Sequence, residues 1–377
     1  MVTLMPSQPA RRAAPAAQRR NESVAVSRLR AYMPELDGLR AIAVLAVLAF
    51  HLHLPFCSLG WAGVYLFFVL SGFLITGILL DQKHEPHYFR NFYARRSLRI
   101  FPIYYVMLLG LAGLAIWRHQ TIRDIGWYIF YCQNYLLGAN SFKARFPTDF
   151  NHSWSLAVEE QFYFLWPLVV LFLSRRLLLA LCLVLIVGAA LARLLVADLT
   201  GSFYLAFTPL ACAVDSLAGG AGLAVLCRSR VVPRLTKGVG YSVIALGGGG
   251  VTLIVSLNGL ERFWGGWLAE PSINHLLFTT MSVMFSGFIL VALDANTYLA
   301  ALLRLRGLRH IGKISYGIYM YHYPVLLLLP SLLKRLGLES LRFRYWLPIY
   351  LLLTYVIALF SWQVLEKRVN AMKSHFK

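Results

Sequence analysis

Residues 36–51, LDGLRAIAVLAVLAFH, hold an arginine and a histidine eleven positions apart in a mostly apolar run. At 100° and 1.5 Å per residue of helix, Arg40 and His51 differ by about 20° round the axis and about 16 Å along it. They share one face, the arginine at a mouth and the histidine well inside. A snorkelling arginine above a core histidine with one satisfied hydrogen bond would give the same pattern. An ionisable group inside an apolar span is expensive, however, and is a functional candidate by default. A neutral imidazole there can take a proton from a hydroxyl as general base, or attack a carbonyl as nucleophile.

Other groups of the same kind recur along the chain. Residues 92–105, FYARRSLRIFPIYY, place Arg96 and Arg99 three apart on one face of an amphipathic helix, beside Arg95. Such arginines orient a chain in lipid, or clamp phosphates with their forked donors. Residues 151–167, NHSWSLAVEEQFYFLWP, bring Glu159 and Glu160 into the first turns of a span from its outer side. Acids there suit the helix dipole, and adjacent residues point 100° apart, so at most one faces a buried site squarely. In ISYGIYMYHYPVL, residues 314–326, His322 lies near mid-span between two tyrosines, and Asp215 lies mid-span further back. His84, Glu85 and His87 read as solvated loop charge rather than metal ligands, and no metal site is expected. Arg193, near the outer end of a span, reads as a snorkelling arginine.

The elements that must position these groups follow from composition. Of the 377 residues 59% are hydrophobic and 14% charged, whereas a soluble domain carries about 25% charge. The apolar residues fall in blocks of about 20, enough to cross a hydrocarbon core. Ten such segments are expected, at roughly 39–56, 61–80, 101–117, 154–173, 177–196, 203–226, 239–257, 273–293, 314–333 and 346–365. Only helices satisfy every backbone group at this length in lipid, so the fold class is all-α, a polytopic integral membrane protein of about ten transmembrane helices. The aromatic stretch 127–137 is too short to cross and reads as re-entrant or interfacial. Gly247–Gly250 lies inside a span and permits close helix packing, not phosphate binding.

The formal net charge of +20 does not mark a nucleic-acid protein. Lys and Arg form no single stripe interleaved with aromatics. They gather instead on alternate connections, 26 on one side against 9 on the other, with Arg193 inside a span completing the 36. That bias puts both termini in the cytoplasm, as an even number of spans requires. Residues 1–33 read as a disordered basic tail and 369–377 as a short second tail. The five cysteines lack metal or redox spacing and carry no signal.

Together these blocks resemble acyltransferase family 3, the bacterial membrane O-acyltransferases that acylate surface glycans, nodulation factors and some macrolides. The resemblance runs from about residue 36 to 366 and rests on five blocks in order: LDGLRAIAVLAVLAFH, FFVLSGFLI (67–75), FYARRSLRIFP, HSWSLAVEEQFYFLWP and ISYGIYMYHYPVL. It implies a membrane-embedded acyltransferase domain over 34–368, with His51 catalytic and Arg96 and Arg99 holding the donor's phosphates. It implies an essential acid at Glu159 or Glu160, with Glu160 favoured as the catalytic one; Glu159, His322 and Asp215 are expected to be acceptor-side or supporting residues. Where the family often reads Arg-x-Asp in the sixth span, this chain reads Ala213-Val214-Asp215, so that arginine is missing and Asp215 is less secure. The resemblance does not extend to the extracytoplasmic hydrolase-like domain that some relatives carry.

The implied reaction is acyl transfer, most simply O-acetylation, from cytoplasmic acetyl-CoA or another short acyl-CoA to a carbohydrate hydroxyl. The donor would dock on Arg40, Arg96 and Arg99 with its thioester toward His51. An exopolysaccharide, lipopolysaccharide or other surface glycan would enter from the outer side. No bound cofactor and no nucleic-acid partner are expected, and the location would be the bacterial inner membrane. A transporter or flippase for a lipid-linked glycan would also show intramembrane charge, but usually carries repeated halves with broken helices. No such repeat is visible here.

Overall fold

The computed structural model describes residues 32–54, 57–143, 148–229, 237–258, 274–338 and 343–376, and among them there is no strand. The order is α1 (Pro34–His51), α2 (Ala62–Gln82), α3 (Tyr88–Trp117), the short α4 (Ile125–Ile129) and α5 (Gln133–Ala139), α6 (Trp154–Phe172) and α7 (Arg175–Thr200). Then come α8 (Leu210–Cys227), α9 (Lys237–Asn258), α10 (Asn274–Leu293), the short α11 (Tyr298–Leu303) and α12 (Arg306–Lys313), α13 (Ser315–Arg335), α14 (Phe343–Ser361) and α15 (Lys367–Ala371). Each of the ten expected segments contains a long helix among the described residues, though the first helix ends at His51 and the sixth begins only at Leu210. Eight are long and apolar enough to cross a membrane by length and composition. The other two are α1, with Glu35, Asp37 and Arg40 in its first two turns, and α13, with His322 among tyrosines and prolines. These two helices carry the two candidate histidines.

Burial separates a centre from a rim. Most of the apolar stretch of α2 and α8 is buried, 72% and 78%, against 17% for α7 and α9, whose outward leucines and valines are exposed. Alpha2 packs along α8, α7 covers α8, α9 pairs with α10, and α1 lies between α2 and α12. The glycine run of α9 does serve close packing. A Cβ at Gly247 would come 2.4 Å from the backbone nitrogen of Met284 on α10.

Three differences from the sequence reading bear on the site. First, α3 runs unbroken through Pro102, so the arginine segment and the span after it are one 30-residue helix. Tyr88 and Tyr93 fasten its first half to α6 by donating to the carbonyls of Pro167 and Phe164, at 3.1 and 2.8 Å. Second, residues 369–376 fold back onto α3. Arg95 Nε donates to the Phe376 carbonyl at 2.7 Å, and Arg90 lies over the Phe376 ring. The expected N-terminal tail, by contrast, lies outside the described residues up to residue 31.

Third, Arg193 does not snorkel. It is fully buried, because its face of α7 meets α8 and α10 rather than lipid. Its guanidinium donates to Asp215 Oδ2 at 2.6 Å, to the Cys212 carbonyl and to Thr279 Oγ1. Thr279 in turn donates to Asp215 at 2.8 Å. Asp215 therefore has an arginine after all, supplied by the neighbouring helix instead of from two positions before it.

Candidate active site

Alpha1 begins with Pro34 in its first turn, where a missing N–H costs nothing, and Glu35 and Asp37 face the positive end of the helix dipole. Asp37 holds Arg40 at 2.8 Å and accepts from Tyr32 at 2.5 Å. Glu35 is tied to Arg304 at 2.6 Å. Arg40 is thus fixed at the rim of two cavities that share it, Leu74 and Arg96 as lining. The outer cleft has a volume of about 450 Å³ and adds Arg95 and Arg228 with Asp37 and Asp81. The inner cavity has about 100 Å³ and runs between α2, α3, α6 and α13, adding Arg99, Ser71, Ser155, Glu159, Tyr163 and Tyr319.

Arginine meets carboxylate inside that inner cavity. Arg96 lies between the rings of Phe92 and Tyr163, 6.0 and 5.9 Å from their centroids. Tyr163 donates to Glu159 Oε2 at 2.8 Å, and its hydroxyl also pairs with Ser71 at 2.5 Å. Three cations and one carboxylate leave the cavity net positive, which suits an anionic ligand threaded through it. At its far wall Ser155 and Tyr319 share a 2.6 Å hydrogen bond, and Tyr319 donates to the His152 carbonyl at 2.8 Å.

Behind Tyr319 three histidines meet. Alpha1 ends at His51, so this residue occupies the last turn, a little shallower than the sequence suggested. Its ring lies 5.0 Å from those of His322 and Tyr323, and the His152 ring lies 5.1 Å from His322 and 5.4 Å from Tyr319. His322 Nδ1 sits 2.6 Å from the Tyr319 carbonyl, so that nitrogen must carry the proton and Nε2 the lone pair. His51 Nδ1 sits 3.0 Å from the Val47 carbonyl and 3.4 Å from His322 Nε2. Two acceptors at one nitrogen assign the proton to it and leave the lone pair on His51 Nε2. The short helices α4 and α5 brace this end of the site. Gln133 donates to the Ser153 carbonyl at 3.0 Å, and Asn134 to the Thr208 carbonyl at 3.1 Å.

Residues 33–363 match the family model described as the acyltransferase domain of acyltransferase family 3. The chain belongs to that family. It is similar to the peptidoglycan O-acetyltransferase OatA of Listeria monocytogenes, 32% identical over 92% of this chain and 58% of that protein. It is also similar to the O-acetyltransferase OatA of Staphylococcus aureus (28%, 80% of this chain, 51% of that protein). The putative peptidoglycan O-acetyltransferase YrhL of Bacillus subtilis is 29% identical over 79% of this chain and 49% of its own length. The chain thus spans about half the length of the curated relatives it matches. No solved structure matches it.

The family match takes in the ten long helices of the described residues and, apart from Tyr32, the lining of both cavities. Within it, the structure gathers Arg40, Arg96, Arg99 and Glu159 in one cavity and His51 with His322 in one cluster. Glu159, not Glu160, turns into the cavity, and it does so among the arginines rather than on the opposite side. Glu160 lies outside the lining, its buried Oε1 without a hydrogen-bond partner among the described residues. Asp215 lines neither cavity. Three contributors went unremarked in the sequence. His152 opens the quoted HSWSLAVEEQFY block, Ser155 follows in the same block, and Tyr319 lies three residues before His322. A histidine at the mouth of a span was the available signal.

Proposed function

We propose that this chain is a membrane O-acyltransferase that moves an acetyl or other short acyl group from acyl-CoA to a hydroxyl of a cell-surface glycan. The observation that carries the reading is the arginine-lined cavity that stops at Tyr319, with the histidine cluster directly behind it. Peptidoglycan is the favoured acceptor, because the Listeria and Bacillus relatives are named for that polymer. The basic mouth belongs to the cytoplasmic side by the distribution of Lys and Arg, with both termini there and the chain in the bacterial inner membrane.

Donor phosphates bind Arg40, Arg96 and Arg99, and the thioester points past Tyr319. The acceptor oxygen attacks the thioester carbonyl carbon while His51 Nε2 takes the hydroxyl proton. The C–S bond breaks, and the imidazolium returns its proton to the departing thiolate. The same lone pair on Nε2 serves a two-step route through an acyl-imidazole. In either route His51 becomes cationic, and the Val47 carbonyl and His322 Nε2 both face the proton on its Nδ1. Tyr319 must swing aside for donor and histidine to meet.

The test is transfer from labelled acetyl-CoA to glycan in membranes, normalised to protein level. His51→Ala should lose transfer while keeping acetyl-CoA binding. His53→Ala should be mild, because His53 is exposed beyond the helix end. Near-normal transfer by His51→Ala would remove the central residue of the proposal.

A further inference from the structure

Asp81, at the end of α2, grips Arg228, just past the end of α8, in a two-pronged hydrogen bond. Nε donates to Oδ1 at 3.0 Å and Nη2 to Oδ2 at 2.8 Å. One helical turn earlier Gly77 leaves the space that this needs. A Cβ there would lie 2.7 to 2.9 Å from the guanidinium atoms. Arg228 is thereby laid flat against α2 with its plane fixed, only 7% exposed, yet it lines the outer cleft. It faces that cleft together with Arg40, Arg95 and Arg96, which come from α1 and α3. The basic groups of the cleft therefore stand on two walls, one at the junction with the inner cavity and one away from it.

Volume divides a ligand between the two cavities. Sites that bury a drug-sized molecule occupy about 300–1,000 Å³. The outer cleft, at about 450 Å³, falls in that range, and the inner cavity, at about 100 Å³, takes only a slender arm. Acyl-CoA has this division built in, a narrow acyl-pantetheine arm joined through a diphosphate to a bulky 3′-phosphoadenosine. With the arm inward, the diphosphate falls at the junction, beside Arg40 and Arg96. The ribose 3′-phosphate then falls in the outer cleft.

We infer that Arg228, oriented by Asp81 and given room by Gly77, binds the ribose 3′-phosphate of the donor. The inference rests on the acyl-CoA reading above and adds a second phosphate site to it. It makes the cleft selective for CoA thioesters over acyl carriers that end in a single phosphodiester.

The experiment compares binding of acetyl-CoA and acetyl-3′-dephospho-CoA to the full chain in detergent or membranes. The wild type should prefer acetyl-CoA by roughly ten-fold, the lower range for a charge-assisted hydrogen bond. Arg228→Ala should lose about ten-fold for acetyl-CoA and bind both donors alike. Arg96→Ala should weaken both donors by a similar factor and keep the preference. Gly77→Ala, which displaces the guanidinium while retaining it, should behave like Arg228→Ala and covers the case of a poorly folded Arg228 variant. A preference that persists in well-folded Arg228→Ala or Gly77→Ala overturns the inference and leaves the donor reading intact. A wild type that binds acetyl-CoA but shows no preference does the same. A wild type that binds neither donor overturns the donor reading itself.

Discussion

Replacing His322 by phenylalanine keeps a flat ring in the cluster and removes both nitrogens. At rest this deletes one long contact, 3.4 Å from His322 Nε2 to His51 Nδ1. That distance lies beyond the usual 2.7–3.2 Å range, so its resting value is at the bottom of the ~0.5–1.5 kcal/mol scale for neutral pairs. During transfer His51 becomes cationic, and the same contact turns into a charge-assisted bond of about 1.5–3 kcal/mol. The difference between the two states, about 1–2.5 kcal/mol, appears in kcat as a loss of roughly 5- to 60-fold, at about 1.4 kcal/mol per ten-fold. His322 lines neither cavity, so the KM for acyl-CoA should stay within about two-fold by the logic of transition-state-only contacts. His322→Gln, whose amide oxygen can accept from His51, should recover part of the loss. The assay is the initial rate of labelled acetyl transfer against acetyl-CoA concentration in membranes with matched protein. A kcat within two-fold of wild type, or a raised KM with kcat unchanged, would refute the assignment of His322 as the positioning partner of His51.

The remaining predictions concern the rest of the bundle. Arg96→Ala and Arg99→Ala should each weaken acyl-CoA binding by about 1.5–3 kcal/mol, measured by equilibrium binding, with Lys a poor substitute because it cannot fork onto phosphate. Arg193→Ala or Asp215→Ala should each lower stability by about 3–5 kcal/mol in thermal unfolding in detergent, because either leaves a buried charge alone. The joint change Arg193→Met with Asp215→Leu should recover most of that loss. Glu159→Gln should reduce transfer more than Glu160→Gln, since only Glu159 reaches the arginine-lined cavity, and the reverse order in the same transfer assay would overturn that placement.

The helices were legible because twenty apolar residues in a row admit few alternatives in lipid. Facing was less so. Glu159 and Glu160 are equivalent to any rule of spacing, and which of them points inward is set by how α6 packs on α2, α5 and α8 and bonds to α3. Arg193 looked like a rim residue because its partner Asp215 lies on another helix, and no periodicity within α7 announces that meeting. The face shared by Arg40 and His51 was readable from the geometry of one helix. The wall between them was not, because Tyr319 and Ser155 come from α13 and α6. Arg228 and Asp81 are 147 positions apart, a pairing that only the packing of α2 on α8 creates.

The charged start of α1 has a consequence for how the chain is made. Glu35 and Asp37 are buried early in the sequence, yet the arginine that holds Glu35 is Arg304, 269 residues later. Gly312, on α12, is the residue against which the backbone of Asp37 fits, with no room for a side chain. When α1 leaves the ribosome neither partner exists. Until residues 304–312 are made, Glu35 lacks its arginine and Asp37 lacks the backbone it packs against. Its final seating is a late event in biogenesis, completed only when α11 and α12 emerge. A chain that stops before Arg304 would leave Glu35 and the Asp37 backbone without these two late contacts.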